Sequence, residues 1–131
     1  MAGIQSYRDL VVWQKSMELA AEAYRISKRF PREEEYRLTS QLLRASTSVA
    51  ANIAEGHGRG TRKDYARFIR ISRGSLCETE TFVMLAVKVG LMDSAQAKDA
   101  LKLAAEIGRM LNSLLTRLQQ EPLSRDSPNE P

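Results

Sequence analysis

Between Pro31 and Pro122 the chain runs for ninety residues without a proline. Proline inside a helix removes a backbone donor and clashes with the preceding turn, so a stretch this long without one leaves room for long helices. Fifteen alanines and fifteen leucines supply good helix formers, and no segment alternates apolar and polar residues long enough to make a strand. The fold class is all-α.

Start and stop signals divide the chain into four helices. Ser6 with Asp9 has the spacing of a capping box for the first, which Phe30-Pro31 stops near Arg29. Pro31, followed by Glu33, Glu34 and Glu35 at the positive end of the dipole, opens the second, and Gly56 closes it. Thr61 with Asp64 starts the third and Gly90 ends it; Asp93 with Gln96 starts the fourth, which fades near Gln120. At about 1.5 Å per residue each becomes a rod roughly 35–42 Å long. Short connections make neighbours antiparallel, which predicts an up-down-up-down four-helix bundle over residues 6–120. Residues 121–131, proline-bearing and acidic, read as a disordered C-terminal tail.

The faces of these helices differ. The fourth has one apolar stripe, Leu101, Ala104, Gly108, Leu111, Leu115 and Leu118, with Lys98, Lys102, Glu106, Arg109 and Arg117 opposite. The first has two. Leu10, Trp13, Met17, Ala20 and Tyr24 make one, and Val12, Leu19, Ala23 and Ile26 another on nearly the opposite side. In the second helix Leu38, Leu42, Ala45, Val49 and Ile53 form a core stripe, while Leu43, Thr47, Ala50, Ala51 and Ala54 cover most of the rest. A helix apolar on two sides is usually buried on two sides, so Val12, Leu19, Ala23, Ile26, Leu43, Thr47, Ala51 and Ala54 are expected at a subunit interface. Alanine tolerated on an ordinary surface is the simpler alternative.

The third helix carries the charge. Residues 56–73 hold Arg59, Arg62, Lys63, Arg67, Arg70 and Arg73 against Asp64 alone, a net +5 where the whole chain has +4. On a helical wheel the six lie within about 140°, opposite Tyr65, Phe68, Ser72, Leu76 and Val83. Such a ridge suits a phosphate backbone, because spaced arginines release condensed counterions without reading bases. Tyr65 and Phe68 are expected to point to the core, which leaves the ridge no stacking platform for single strands. A merely solvated basic face is the competing explanation.

Little else carries chemistry. Glycines 56, 58 and 60 follow a helix rather than a strand and match neither nucleotide-binding motif, so they read as helix termination and a turn. His57, the only histidine, reads as an exposed loop residue, and Cys77, the only cysteine, as a partly buried small side chain. Neither can build a metal site, and no Glu-x-x-His pair for a di-iron bundle occurs. Arg44, Ser48, Asn52, Glu55, Ser75 and Glu78 are expected to form a polar cluster between helices two and three, held by structural hydrogen bonds. A hydrolase built on Glu55 or Glu78 lacks a base, nucleophile or metal. The expectation is a protein that is not an enzyme and needs no cofactor.

At 131 residues with 43% apolar and 27% charged residues, one globular domain is expected rather than a disordered chain. No apolar run reaches the roughly 18 residues of a membrane span, and Met1–Arg8 lacks the core of a secretion signal, which predicts a cytoplasmic location.

These residues resemble the bacterial family of four-helix proteins called 23S ribosomal RNA intervening-sequence proteins. Leu10-Val-Val-Trp13-Gln-Lys15 opens as that family does; Phe30-Pro31, then Tyr36-Arg-Leu38-Thr-Ser-Gln41-Leu-Leu-Arg44, match next. Ser48-Val-Ala-Ala-Asn52-Ile-Ala-Glu55-Gly56 is the most specific run, and Phe68, Gly74-Ser75, Glu78-Thr-Glu80 and Gly90-Leu-Met continue it. The resemblance spans about residues 7–120. It implies a ring-like homopentamer, as in the related accessory subunit of diversity-generating retroelements, whose basic surface meets nucleic acid and a reverse transcriptase. It supplies no catalytic residue. Together these point to a homo-oligomer that binds RNA or DNA through the ridge, or to an oligomeric protein-interaction scaffold with no nucleic-acid role.

Overall fold

The computed structural model describes residues 3–120, so the expected tail at 121–131 lies outside the described residues. Four helices form a bundle: α1 (Val11–Ser27), α2 (Ser40–His57), α3 (Arg62–Lys88) and α4 (Ser94–Gln119). None is long and apolar enough to cross a membrane.

Two of the four are shorter than the pattern predicts. The Ser6 capping box forms, with Ser6 Oγ accepting from Arg8 and Asp9 receiving the backbone amides of Gln5 and Ser6, but it caps a separate 3₁₀ turn at Tyr7–Asp9. Leu10 is extended, and α1 starts only after it. Its 17 residues make about 25 Å of helix. After Pro31 the chain makes a 3₁₀ turn at Arg32–Glu34 and a π-helical turn at Glu35–Thr39, where Arg37 leaves helical geometry (φ −116°, ψ −112°). Glu34 spends its carboxylate on the amide of Leu38 inside that turn. So α2 begins nine residues later than Pro31 suggests and runs through Gly56 to His57.

The later boundaries follow local capping chemistry. Thr61 Oγ1 accepts from the amide of Asp64 at 3.1 Å, and Asp93 and Gln96 form a reciprocal box at 2.8 Å in both directions. Each satisfies donors that the first turn of a helix leaves unpaired.

Around the bundle α1 packs on α2, α2 on α3, α3 on α4 and α4 back on α1, while diagonal pairs hardly touch. Late residues of α2 meet early residues of α3, as Gly56 does Phe68, and early residues of α3 meet late residues of α4, as Arg62 does Arg117. The core runs through the centre on Leu19, Leu42, Val49, Ile53, Ile69, Val83, Ile107 and Leu111, all at most 2% exposed. Val12, Ala23 and Ile26 belong to this core with Leu19. The sequence pattern assigns these four to a subunit interface, and the packing corrects it. The periodicity of α1 separates two apolar faces correctly, but the bundle turns this one inward and leaves Met17 and Tyr24 outside.

Among the described residues six polar ones are buried, and each has a partner. Ser16, Ser27, Ser46 and Thr79 bond carbonyls of their own helices, Ser72 Oγ donates to the carbonyl of Val49 at 2.8 Å, and Ser75 Oγ shares a 2.9 Å bond with Ser48 Oγ. The last two cross from α3 to α2. A side chain that reaches a neighbour's backbone requires a close approach, and Gly56 permits it: a Cβ there would lie 2.7 Å from Cβ of Phe68. Gly56 therefore serves packing inside α2 and does not terminate it. Gly60, at φ +93°, makes the turn into α3.

Gly56→Ala should destabilise the bundle by about 1–3 kcal/mol through overpacking. Gly74→Ala, in an α3 position with no atom within 4 Å of the new Cβ, should stabilise it by about 0.5–1 kcal/mol. Urea denaturation of the two variants beside the unaltered protein measures both.

Candidate nucleic-acid interface

The six basic residues of the expected ridge stand in two rows. Lys63, Arg67 and Arg70 are exposed on the outward face of α3. Arg62 and Arg73 lie on the edge that faces α4 and are committed to it. Arg62 donates to the carbonyl oxygens of Arg117 and Gln120 at the end of α4, and Arg73 donates to Oδ1 of Asn112 at 3.1 Å. A guanidinium at a helix C-terminus satisfies orphan carbonyls and opposes the negative end of the dipole. Arg59, in the connection, pairs with Glu55 at 3.1 Å.

Phe68 is not a core residue. It is half-buried, and the guanidinium carbons of Arg67 and Arg59 lie 4.4 and 5.1 Å from its ring centroid. Stacking of this kind holds the two arginines in place and occupies the ring face a base would need. Asp64 lies 4.0 Å from Arg67, a long contact at an exposed site that is worth at most about 1 kcal/mol. Tyr65 is half-buried, and burial pushes its hydroxyl above the usual tyrosine range, with Arg117 pulling the other way. It stays neutral at physiological pH and adds no negative charge to this side.

Three cations outside the sequence-derived set extend the surface. Lys98, Lys102 and Arg109 are exposed on the outward face of α4. Because Arg62 meets Arg117 and Arg73 meets Asn112, the α3 ridge lies beside the far end of α4. Arg109, Lys102 and Lys98 then carry the basic track along the other half of the bundle. The signal was present as a polar stripe on α4, but its alignment with α3 depends on how the two helices pair. Acids on this side are fewer: Asp64, Asp99, half-buried Glu80, and Glu106, which is 3.3 Å from Lys15.

The polar cluster between α2 and α3 assembles in part. Asn52 Nδ2 donates to the carbonyl and Oγ of Ser48, at 2.9 and 2.8 Å, and Ser48 reaches Ser75. Arg44, Glu55 and Glu78 stand outside it. Glu55 holds Arg59, and among the described residues Arg44 and Glu78 form no ion pair. His57 is the half-buried last residue of α2, its ring 5.6 Å from that of Tyr65, and so is neither a loop residue nor exposed. Cys77 is exposed rather than partly buried.

On the opposite side lies an apolar groove between α1 and α2, lined by Trp13, Met17, Ala20, Tyr24, Thr47, Ala51 and Ala54 among others. Leu43 packs partly buried against the core beside it. Of the residues expected at an interface, the α2 set faces this groove or its floor, and the α1 set does not.

The sequence pattern of the 23S rRNA-intervening sequence protein family matches residues 8–113. No curated protein matches the chain in sequence. Among solved structures, the chain is similar to a protein of unknown function from the S23 ribosomal protein family of Bacteroides thetaiotaomicron. The two are 27% identical with a TM-score of 0.75, over 80% of this chain and 98% of that one.

Arg62→Ala should speed hydrogen exchange in the last turn of α4 and cost about 0.5–1 kcal/mol, since it removes a cation from that terminus. Lys63→Ala, one residue on but facing outward, should leave the same amides unchanged.

Proposed function

The chain belongs to the 23S rRNA-intervening sequence protein family, and from that premise we propose that it is a non-enzymatic homo-oligomer that binds RNA or DNA without sequence preference. The observation that carries this is the basic surface of α3 and α4. Lys63, Arg67 and Arg70 on one helix and Lys98, Lys102 and Arg109 on the other are all exposed, and among the described residues only Arg67 of these has an acid within 4.0 Å. Lysine and arginine spaced along two rigid helices meet phosphates at fixed intervals and gain affinity by counterion release. With the Phe68 ring face covered by arginine, the surface offers charge and shape and no platform for unstacked bases.

Oligomerisation multiplies such contacts, because each copy adds its own basic surface to one assembly. The α1/α2 groove supports it: Met17 and Tyr24 are 47% and 51% exposed beside a row of alanines. The family resemblance favours five copies. We place the protein in the cytoplasm, where ribosomal RNA and a partner such as a reverse transcriptase are both within reach. The α1/α2 groove also fits the alternative, a scaffold whose partners are proteins alone.

Binding to a fluorescent duplex should weaken steeply with salt. Reversing Lys63, Arg67 and Arg70 together should weaken binding at least tenfold and flatten the logarithmic salt slope by about 0.9 for each phosphate no longer neutralised. Reversing Lys98, Lys102 and Arg109 should act in the same direction. Retention that ignores both salt and the reversals removes the nucleic-acid role and leaves the scaffold. Sedimentation should give a single species several times the mass of the chain, and a monomer at micromolar concentration would remove the oligomer.

A further inference from the structure

A second groove lies between the start of α1 and the final turns of α4, with a volume near 540 Å³. Leu10, Val11, Met110 and Leu114 give it an apolar floor, and Arg109 and Arg117 stand at its rim. Val11, the first residue of α1, is 52% exposed there. The free charge of the rim has one sign. Glu106 is held by Lys15 at 3.3 Å, Arg117 donates to the hydroxyl of Ser113 at 3.4 Å, and among the described residues neither Arg109 nor Arg117 pairs with an acid. An apolar trough beside two such guanidiniums fits an extended segment that carries an apolar side chain and, a few residues on, a carboxylate.

The chain supplies a segment of that kind at the mouth of the groove. Gln120, just past the end of α4, is already extended (φ −71°, ψ 135°), and Arg62 holds its carbonyl. Arg117, one turn earlier, lines the groove. Pro122 opposes any further helical turn, and Leu123, Ser124, Arg125 and Asp126 come after it. Residues 121–131 hold Glu121, Asp126 and Glu130 against Arg125 alone, so their charge is opposite to that of the rim.

We infer that residues 121–126 return along α4 and lie in this groove, with Leu123 on the apolar floor and Asp126 at Arg109. The lengths agree. Three extended residues from Gln120 reach back about 10 Å at most, which brings Leu123 level with the stretch between Arg117 and Leu114. Three more carry Asp126 about 10 Å farther, level with Arg109, which lies about 16 Å back along the helix from Gln120. In polyproline II geometry, which proline-bearing segments favour, residues three apart share one side, so Leu123 and Asp126 face the groove together. The tether at Gln120 holds the segment at an effective concentration on the order of millimolar, which no free peptide of the same sequence would have. Resting on the nucleic-acid reading above, a duplex must displace the segment from Arg109 before it can use that part of α4. The chain thus carries a competitor for its own basic surface.

The test reads docking without nucleic acid and then competition with it. In the full chain with labelled methyl groups, nuclear Overhauser contacts should join Leu123 to Val11 and Met110, and Leu123→Ser should shift the Met110 methyl signal. A segment docked about two-thirds of the time leaves one-third of the molecules competent, so Leu123→Ser and Asp126→Asn should each tighten duplex binding by up to about threefold at low salt. Glu130→Gln removes the same charge outside the docked stretch and should change binding less. Absence of any contact from Leu123 to the groove overturns the docking. Contacts found only between differently labelled chains seat a second copy's segment there and overturn it too. If Glu130→Gln tightens binding as much as Asp126→Asn while Leu123→Ser does nothing, net charge alone is at work and the competition falls. Docking contacts in a protein that binds no duplex uphold the docking and remove the nucleic-acid role, which is a separate outcome.

Discussion

The close approach of α2 and α3 is the contact on which the other features depend. Gly56 leaves no room for a side chain against Phe68, and Ser72 reaches past the α2 side chains to the carbonyl of Val49. A buried hydroxyl that lost its acceptor would carry an uncompensated desolvation cost of about 1–3 kcal/mol. The rotation of α3 about its own axis is therefore held against α2 at two positions one turn apart, by a glycine contact at Phe68 and a hydrogen bond from Ser72. Once that rotation is set, Lys63, Arg67 and Arg70 must point to water, and Arg62 and Arg73 must fall against α4.

That division explains why a basic helix does not behave as one uniform charged face. Two of its arginines act on the bundle, closing the end of α4 and gripping Asn112, while Arg67 of the outward row and Arg59 of the connection lie over Phe68. Only the outward row is left for an external anion, and it becomes a longer surface because α4 contributes Lys98, Lys102 and Arg109. The apolar groove sits on the other side of the bundle between α1 and α2. Charged and apolar surfaces on opposite sides let one be covered while the other stays hydrated, so burial of the groove need not desolvate an arginine.

Much of this was legible in local patterns. Thr61 and the Asp93–Gln96 pair mark helix starts because a cap is a contact between residues three apart, written entirely in the sequence. Ser6 and Pro31 were equally clear as signals, yet each opens a short turn. Whether a capped turn grows into a helix depends on the packing that follows it, and neither Leu10 nor Arg37 keeps helical geometry. The two apolar faces of α1 were visible too, but periodicity is blind to sign. Val12, Leu19, Ala23 and Ile26 are alternatives to Trp13, Met17 and Tyr24 until a second helix chooses between them.

The sequence by itself determined an all-helical chain of four segments, the family to which its motifs belong, and the concentration of positive charge at the start of α3, because each depends on residue type and short spacing. Tertiary structure alone decided which face of α1 is core, which arginines are spent on α4, and how the cations of α4 align with those of α3. These are questions of rotation and register between helices distant in sequence, and they are answered only when Gly56, Ser72 and Arg62 find their partners across the bundle.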